Sequence, residues 1–421
     1  MKIAIYNHGI PFDGSTTESQ PLGGSESGII YMARELARWG HDIRVYVNCP
    51  NPGNYDGVTY LHYHQFFSEY ASNPWDVMIS FRSFDPFLLG RISPRMIFWC
   101  GDASNQPVLT HFEHPALQEN IDLIFCVSEW QRQSFIQQFQ LPAEKVVATR
   151  NGFCPELVAP FTERPASNAA YTSTPFRGLD ILLQIFPEIR RRVNTARLDV
   201  FSSMQVYGWS IEDDRKAFGD VYGAAEQSGV QWRGSVRQRE LLQTLSQTGL
   251  LLYPNTFDET SCIAAIEAQA SGCVVITSAK AGLNETVAHG ETGICIEGDP
   301  RSESYQRQFI ESTCELMRNE DRFQRMSVAA RDRAFQRYSW NSIAREWTNI
   351  FEKMTAFHVS GRYSGPLSLL ERGHGYKRSG NFGAARRVLS TLQATPFLSA
   401  EIARLEAELM EETNKYEHDN R

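Results

Sequence analysis

Short apolar runs that alternate with amphipathic helical segments limit the possible folds of this sequence more than any other feature. A run of four or five apolar residues bounded by polar turns is typical of a strand buried on both faces. Alternation of such strands with helices predicts parallel βαβ units and a doubly wound α/β sheet. In the first third of the chain the predicted strands are 2–6, 43–47, 77–80, 96–99, 123–127 and 146–149, with a helix over 25–39.

The same pattern starts again after a segment that contains Pro155, Pro160 and Pro165, a composition expected at a domain boundary. We therefore predict an α/β protein with two Rossmann-like domains, residues 1–155 and 156–337, that face each other across an interdomain cleft. In the second domain the predicted strands are 168–172, 198–201, 230–232, 249–253 and 273–277, and the predicted helices are 178–193, 214–228, 237–247 and 260–271.

The alternation of strands and helices stops after residue 357. Residues 358–421 are predicted to form a polar helical extension. Gly373, Tyr376, Gly380, Phe382 and Ala385 are spaced like part of a tetratricopeptide repeat. A single repeat cannot bury its own apolar face. We therefore expect a helical cap packed on the second domain rather than a peptide-binding array.

Composition and charge exclude several classes of protein. The 421 residues are 42% hydrophobic and carry a net charge of −8, which fits a globular protein and makes nucleic acid a poor partner. No apolar run approaches the ~20 residues of a membrane span, and the N-terminus lacks a signal-peptide pattern. The eight cysteines form no C-x-x-C pair and are expected to be buried and reduced. These features predict a cytoplasmic protein, with peripheral contact at the inner membrane face left open.

The segment from Tyr253 to Gly272 carries the most chemical information. It reads as a strand end, a loop with Glu259, and a helix that begins near Thr260 or Ser261 and contains Glu267. The first-turn N–H groups of such a helix lack intrahelical partners and suit a phosphate. A carboxylate, a diphosphate cradle and a second carboxylate in this order suit a nucleotide-sugar. The cradle consists of Ser261, Cys262 and Ile263.

The spacing Glu259-x7-Glu267 resembles the paired-glutamate motif of retaining glycosyltransferases of family 4, which have the GT-B fold. The similarity extends over about residues 1–352. It includes an N-terminal glycine loop, an interdomain "NG" turn, a "KG-x-x-x-LL" segment, an "F-x-G-x-V" strand and turn, glycine-rich turns, and the start of a final helix. These motifs are Pro21–Glu26, Thr149–Phe153, Phe176–Leu183, Gln231–Val236, Gly282–Glu285 with Gly290 and Gly293, and Ser339–Asn341.

The resemblance implies roles for particular residues. Glu267 would bind the ribose hydroxyls, and Glu259 would contact the donor sugar beside its anomeric carbon. Gly23 and Gly24 would let backbone N–H groups approach the donor closely. The final helix, residues 338–357, would cross back to the first domain.

Arg177 stands where the family usually has a lysine that contacts the diphosphate. A guanidinium can bind phosphate with two hydrogen bonds, so the exchange preserves the chemistry. A cation at a helix start is otherwise electrostatically unfavourable, which favours a bound anion. The family's second basic residue, a few positions upstream, is missing, and Ser173 or Thr174 is the candidate to donate in its place.

Asp102 follows the strand 96–99, at a position where the family often holds the donor sugar with a His or Asp. A turn aspartate without a ligand is an equally good interpretation. Arg82 follows the neighbouring strand and is a further candidate for contact with donor or acceptor.

The residues and the resemblance together predict a retaining glycosyltransferase. It would move a hexose-type sugar from a UDP- or GDP-sugar to a glycan, lipid-linked or other hydroxyl acceptor, in surface polysaccharide or glycoconjugate biosynthesis. We expect no cofactor and no metal, because no Asp-x-Asp pair follows a strand. Two alternatives remain: a nucleotide-sugar epimerase of the same fold and a non-catalytic binding scaffold. An NAD oxidoreductase is disfavoured because the G-x-G-x-x-G fingerprint is missing.

Overall fold

The computed structural model describes residues 1–69, 74–113, 115–357, 366–378, 380, 382–383, 385–386, 389 and 402–410. These residues form two lobes, each built on a largely or wholly parallel sheet flanked by helices, as the sequence predicted. The first lobe contains β1 (Lys2–Tyr6), β2 (Asp42–Val47), β3 (Gly53–Tyr55), β4 (Val58–His62), β5 (Val77–Phe81), β6 (Met96–Trp99), β7 (Leu123–Cys126) and β8 (Val146–Ala148). The second contains β9 (Asn168–Tyr171), β10 (Arg197–Val200), β11 (Val230–Trp232), β12 (Leu250–Tyr253), β13 (Val274–Ser278) and β14 (Gly293–Ile296).

The strand order places a switch point in each sheet. The first sheet has the order β3-β4-β2-β1-β5-β6-β7-β8, in which only the pairing of β3 with β4 is antiparallel. The second has the order β11-β10-β9-β12-β13-β14 and is parallel throughout. The direction of strand addition reverses between β1 and β5 and between β9 and β12. Open α/β sheets bind ligands at the carboxyl ends of the strands at such a point.

Two of the predicted helices match the structure to within one residue at each end. The predicted helix over 25–39 spans Gly24–Arg38, and the one over 178–193 spans Leu179–Arg192. The helices of the first lobe are α1 (Thr16–Ser19), α2 (Gly24–Arg38), α3 (Tyr63–Glu69), α4 (Pro115–Glu119) and α5 (Glu129–Phe139). Those of the second lobe are α6 (Leu179–Arg192), α7 (Ile211–Gly223), α8 (Gln238–Leu245), α9 (Ile263–Ala270), α10 (Leu283–Thr286), α11 (Glu303–Arg318) and α12 (Glu320–Arg337); α13 (Trp340–Lys353) and α14 (Pro366–Arg378) follow them.

The sequence pattern did not predict three of the strands, β3, β4 and β14. The hairpin of β3 and β4 turns at Asp56 and Gly57, and its strands are only partly buried, so no continuous apolar run marks them. Strand β14 begins at Gly293, which the sequence had suggested only as a turn residue. The second lobe therefore has one more strand than the pattern predicted.

Helix α13 returns the chain to the first lobe. Its apolar residues recur at helical spacing, and the helix packs against α2. Trp347 contacts Trp99 of β6 and Phe125 of β7 edge-to-face, with ring centroids 4.8 Å apart in both pairs. The crossover implied by the family resemblance thus lies at 340–353, within the predicted 338–357.

The prediction that the helical extension packs on the second domain is wrong. Phe357, the last described residue before a gap, donates its N–H to Pro94 O in the first lobe at 3.0 Å. Because α13 has already returned the chain to the first lobe, the extension begins there. Its described apolar residues complete a core cluster with first-lobe residues such as Phe84 and Phe87. The extension contributes Leu370, Ala385, Leu389, Ile402, Leu405 and Leu409 to that cluster.

All eight cysteines are free and buried, as predicted. None of the helices in the described residues has both the length and the apolar character needed to span a membrane.

Candidate functional site

A cleft lies between the carboxyl ends of the two sheets and encloses a cavity of about 590 Å³. Both lobes line it, and both switch points face it. Every residue predicted from the sequence to bind or act on the donor lies on its wall. These residues are Gly23, Gly24, Asp102, Arg177, Glu259, Ser261, Cys262, Ile263 and Glu267.

Glu259 is held from two sides by protein donors. It follows β12 in a loop and is 6% exposed. The hydroxyl of Tyr253, the last residue of β12, donates to Glu259 Oε1 at 2.5 Å, and Arg177 Nη1 donates to the same oxygen at 2.8 Å. One carboxylate oxygen is therefore engaged by protein, while the residue itself faces the cleft.

Arg177 ends a 3₁₀ turn, Pro175–Arg177, that precedes α6. The turn is possible because Gly178 adopts φ = +106°, and a Cβ on this glycine would lie 2.1 Å from Pro254 O. The guanidinium lies over the Phe257 ring at 4.5 Å, and its Nη2 donates to Tyr207 Oη at 3.2 Å. Burial alone would lower the pKa of Arg177, but the negative charge of Glu259 raises it above the usual value. Arg177 is therefore a fixed cation on the cleft wall.

Glu267 lies on α9 and is 6% exposed. Its carboxylate accepts a short hydrogen bond from Gln238 Nε2 on α8. Burial raises the pKa of Glu267 to about 8, although the hydrogen bond from Gln238 opposes the shift. No sequence motif marks Gln238, because only the packing of α8 against α9 brings the two side chains together. A buried carboxylate with one protein donor has spare capacity to accept hydrogen bonds from a ligand.

Helix α9 starts two or three residues later than predicted. The helix begins at Ile263 with Cys262 as its N-cap, and no side chain caps it. Thr260, one of the two predicted caps, instead donates its hydroxyl to Gly101 O of the first lobe at 2.5 Å. Within the described chain, the N–H groups of Ser261, Cys262 and Ile263 find no protein acceptor. Unpaired N–H groups of this kind are able to bind an anion.

The glycine loop meets α9 across the cleft. A Cβ on Gly24 would lie 2.8 Å from Ile263 Cδ1, and a Cβ on Gly23 would lie 3.3 Å from Val206 O. Both contacts join the first lobe to the second. A side chain at either position would therefore crowd the second lobe, and glycine lets the lobes approach closely.

Asp102 is not an isolated carboxylate. Its Oδ2 accepts a hydrogen bond from Arg82 Nε at 2.5 Å. Arg82 occupies a left-handed backbone position, φ = +56°, immediately after β5. Gln131 Nε2 on α5 holds the Asp102 carbonyl at 2.7 Å. The two first-lobe candidates thus form one ion pair on the cleft wall.

Several hydroxyl groups also face the cleft. Thr172, Thr174 and Ser235 line it, and the buried side-chain oxygen of each has no hydrogen-bond partner among the residues that the structure describes. Ser173 lines the cleft as well, and its hydroxyl lies 3.3 Å from Tyr253 Oη. Thr172, Ser173 and Thr174 belong to the stretch in which the second basic residue is missing. Only the structure shows that they converge.

Further polar contacts join the lobes beside the cleft. The carboxylate of Glu285 on α10 accepts hydrogen bonds from the backbone N–H groups of Glu129 (2.9 Å) and Trp130 (2.6 Å). These are the first two residues of α5, so a side chain of the second lobe satisfies the N-terminus of a first-lobe helix. Asn151 Nδ2 in the interdomain turn lies 3.5 Å from Ser261 O. In the described part of the chain, no three His, Cys, Asp or Glu side chains are grouped so that they could hold a metal ion.

Residues 169–319, nearly all of the second sheet and its helices, match the family model described as "Glycosyl transferases group 1". The chain is 26% identical over 251 residues to a lipopolysaccharide 1,2-N-acetylglucosaminetransferase of Salmonella typhimurium, covering 55% of this chain and 62% of that one. It is 29% identical over 135 residues to an alpha-maltose-1-phosphate synthase of Mycolicibacterium smegmatis, covering 32% and 35%. The chain thus spans less than two thirds of the length of these relatives.

Solved structures share the whole two-lobed architecture. A sucrose-phosphate synthase from Thermosynechococcus elongatus superposes with a TM-score of 0.66 at 14% identity, over 84% of this chain and 98% of that one. Anabaena HepE, in complex with UDP and glucose, superposes with a TM-score of 0.61 at 14% identity, over 84% and 100%. WaaG, a glycosyltransferase involved in lipopolysaccharide biosynthesis, gives a TM-score of 0.60 at 15% identity, over 84% and 100%. The fold is GT-B with a C-terminal helical extension.

Proposed function

We propose that this chain is a retaining glycosyltransferase of family 4. It would transfer a hexose-type sugar from a UDP- or GDP-sugar to a glycan, lipid-linked or other hydroxyl acceptor in surface polysaccharide or glycoconjugate biosynthesis. The observation that carries the proposal is the convergence of Arg177, Glu259 and Glu267 on one wall of the interlobe cleft, opposite the Gly23–Gly24 loop. The names of the relatives support the same class of reaction.

The second lobe offers groups that match each part of a nucleotide-sugar. Glu267, buried with a single protein donor, would accept hydrogen bonds from the ribose hydroxyls. The free N–H groups at the start of α9 would bind the diphosphate, together with the hydroxyls of Thr172 and Thr174. The second carboxylate oxygen of Glu259 would accept a hydrogen bond from a hydroxyl group of the donor sugar.

Arg177 keeps donors for the diphosphate even while it is paired with Glu259. A guanidinium has five N–H donors in a fixed fork, and Glu259 and Tyr207 engage one each. The Nε group is buried and has no hydrogen-bond partner in the described part of the chain. The negative charge of a bound diphosphate would also compete with Glu259 for the Arg177 guanidinium. We therefore place Arg177 at the β-phosphate.

The chemistry requires negative charge to be stabilised on the leaving group. As the bond from the anomeric carbon to the β-phosphate oxygen breaks, the sugar becomes oxocarbenium-like and the β-phosphate gains charge. Preorganised N–H groups and Arg177 would stabilise that charge, and one such donor contributes on the order of 3–4 kcal/mol. The family resemblance implies that the acceptor oxygen then bonds to the same face of the anomeric carbon, while its proton passes to the leaving phosphate.

We propose that no resident metal or cofactor takes part, because Arg177 and the α9 N–H groups supply the positive charge that the diphosphate needs. We also propose that the protein works in the cytoplasm, at the inner membrane face when its acceptor is lipid-linked.

The test is to incubate the full chain with a panel of UDP- and GDP-sugars, with and without EDTA. Release of nucleoside diphosphate, and its loss in Glu259→Gln but not in Glu291→Gln, is the expected result. Glu291 is an exposed residue of the same lobe and serves as the control. Isomerised donor without acceptor would indicate the epimerase instead, and binding without turnover would indicate a scaffold. Loss of activity in EDTA would contradict metal independence alone.

A further inference from the structure

Glu26 is a buried carboxylate that the proposed donor site does not use. It lies in the first turn of α2, immediately after the glycine loop, and is 6% exposed. Its Oε2 lies 2.9 Å from the point where a Cβ on Gly23 would stand, and Val206 O and Tyr207 Cε1 lie 3.3 Å and 3.6 Å from that same point. The carboxylate thus lies where the glycine loop of the first lobe meets the second lobe.

Neighbouring side chains leave Glu26 unsatisfied. In the described residues, the only protein group that donates to it is its own backbone N–H. Asn7, the polar neighbour below it, donates its Nδ2 to Phe81 O instead, at 3.1 Å. Arg82 is close enough to act on Glu26 electrostatically, but its Nε donates to Asp102. Burial raises the pKa of Glu26 and outweighs the opposing effect of Arg82. A buried carboxylate that receives no hydrogen bond from a side chain is costly unless a ligand supplies further donors.

The chemistry of the donor argues against a role for Glu26 in binding the diphosphate. An ionised carboxylate accepts hydrogen bonds but cannot donate them, so it would repel phosphate oxygens. Hydroxyl groups are suitable partners. On the donor side, Glu267 and Glu259 already serve the ribose and the sugar, and both belong to the second lobe. Glu26 belongs to the first lobe, beside Arg82 and Asp102.

We infer that Glu26 binds the acceptor, by accepting hydrogen bonds from hydroxyl groups of an incoming sugar or other polyol. This inference rests on the proposed function, because an acceptor exists only if the protein is a transferase. Glu26 would orient the hydroxyls next to the attacking one. Glu26 takes no proton from the acceptor and forms no covalent bond with it.

The experiment compares two buried glutamates of one helix. Glu35, also on α2, is 3% exposed, but it pairs with Arg38 and accepts a hydrogen bond from Asn341 on α13. Glu26→Gln and Glu35→Gln therefore make the same chemical change on the same helix, one beside the cleft and one away from it. Full-length wild type and both variants are assayed with UDP-glucose and GDP-mannose as donors. The acceptor probes are p-nitrophenyl glycosides of glucose, galactose, mannose and N-acetylglucosamine, and UDP affinity is measured by calorimetry.

We expect Glu26→Gln to raise the acceptor KM by about 10-fold, the loss of roughly one hydrogen bond to a charged group, while the Kd for UDP changes less than 2-fold. Glu35→Gln should leave both values within 2-fold of wild type. An unchanged acceptor KM in Glu26→Gln, with wild-type transfer intact, overturns the inference and leaves the proposed function standing. A parallel loss of UDP affinity also overturns it, because Glu26 would then belong to the donor site. If wild type neither binds UDP nor turns over any donor, the proposed function fails and this inference fails with it.

Discussion

Arg177 and Glu259, which lie 82 positions apart in the sequence, form an ion pair with Nη1 2.8 Å from Oε1. The sequence had suggested separate roles for them, with the arginine on the diphosphate and the carboxylate on the donor sugar. Their pairing links the two roles. The same carboxylate that would contact the sugar also positions the cation that would stabilise the leaving group.

Removing the negative charge of Glu259 should separate binding from turnover. In Glu259→Gln the amide oxygen can still accept from Tyr253, but Arg177 loses its anionic partner and is freer to bind phosphate. We expect the Kd for UDP to stay equal or decrease by a few fold, while transfer falls by about 100-fold. Calorimetry and steady-state kinetics on one preparation test this. A parallel loss of UDP affinity and turnover would place Glu259 on the nucleotide.

Removing the positive charge of Arg177 should, in contrast, weaken the binding of UDP. Arg177→Ala loses a charge-assisted contact of about 1.5–3 kcal/mol, which corresponds to a UDP affinity roughly 10- to 150-fold weaker. Arg301→Ala is the control, because Arg301 pairs with Asp180 on the surface of the same lobe. Equal UDP affinities in the two variants would remove Arg177 from the diphosphate site.

The buried Glu267 should make stability depend on pH. Its pKa in the folded protein is about 8, above the ~4.3 of an unfolded glutamate, so the folded state binds the proton more tightly and loses stability as pH rises between these values. Glu267→Gln mimics the protonated form. We expect its advantage in unfolding free energy over wild type to grow by about 3 kcal/mol from pH 5 to pH 8.

Urea denaturation at both pH values measures this difference, and Glu291→Gln, at an exposed position of the same lobe, gives the baseline. A difference between Glu267→Gln and wild type that stays constant with pH would show that the Glu267 carboxyl is ionised throughout this range.

Gly178 should tolerate no side chain. Alanine there would combine an unfavourable backbone angle with a contact 2.1 Å from Pro254 O, and we expect a loss of about 3 kcal/mol or more, with weaker UDP binding because Arg177 moves. Gly219→Ala, inside α7 with no atom within 4 Å of the new Cβ, should instead stabilise the protein by about 0.5–1 kcal/mol. Thermal unfolding of both variants tests the pair, and equal Tm shifts would contradict the argument.

The hydrogen bonds from the N-terminus of α5 to the Glu285 carboxylate should help to hold the two lobes together. Glu285→Ala leaves the first N–H groups of α5 without their acceptor, so the interlobe contact weakens. We expect a larger radius of gyration in small-angle scattering and partial recovery when UDP is added. Asn284→Ala, at an exposed neighbouring position, should leave the scattering curve unchanged. An identical curve for both variants would show that other contacts hold the lobes together.

Local sequence patterns were enough to predict the two doubly wound lobes and the order of the site residues along the second one. Short apolar runs and helical periodicity are local properties of the sequence. A strand of a parallel sheet that is buried on both faces must be apolar along most of its length, so such strands can be recognised from the sequence. The spacing from Glu259 to Glu267 is local in the same sense, because one loop and one helix carry both residues.

Tertiary structure decided the partners of those residues and the location of the extension. Gln238, Tyr253 and Tyr207 contact the predicted residues from other elements, and no spacing in the sequence encodes those contacts. The extension packs on the first lobe because α13 crosses back before it begins. Pairings between distant segments depend on how whole elements pack together, whereas periodicity depends only on neighbours along the chain.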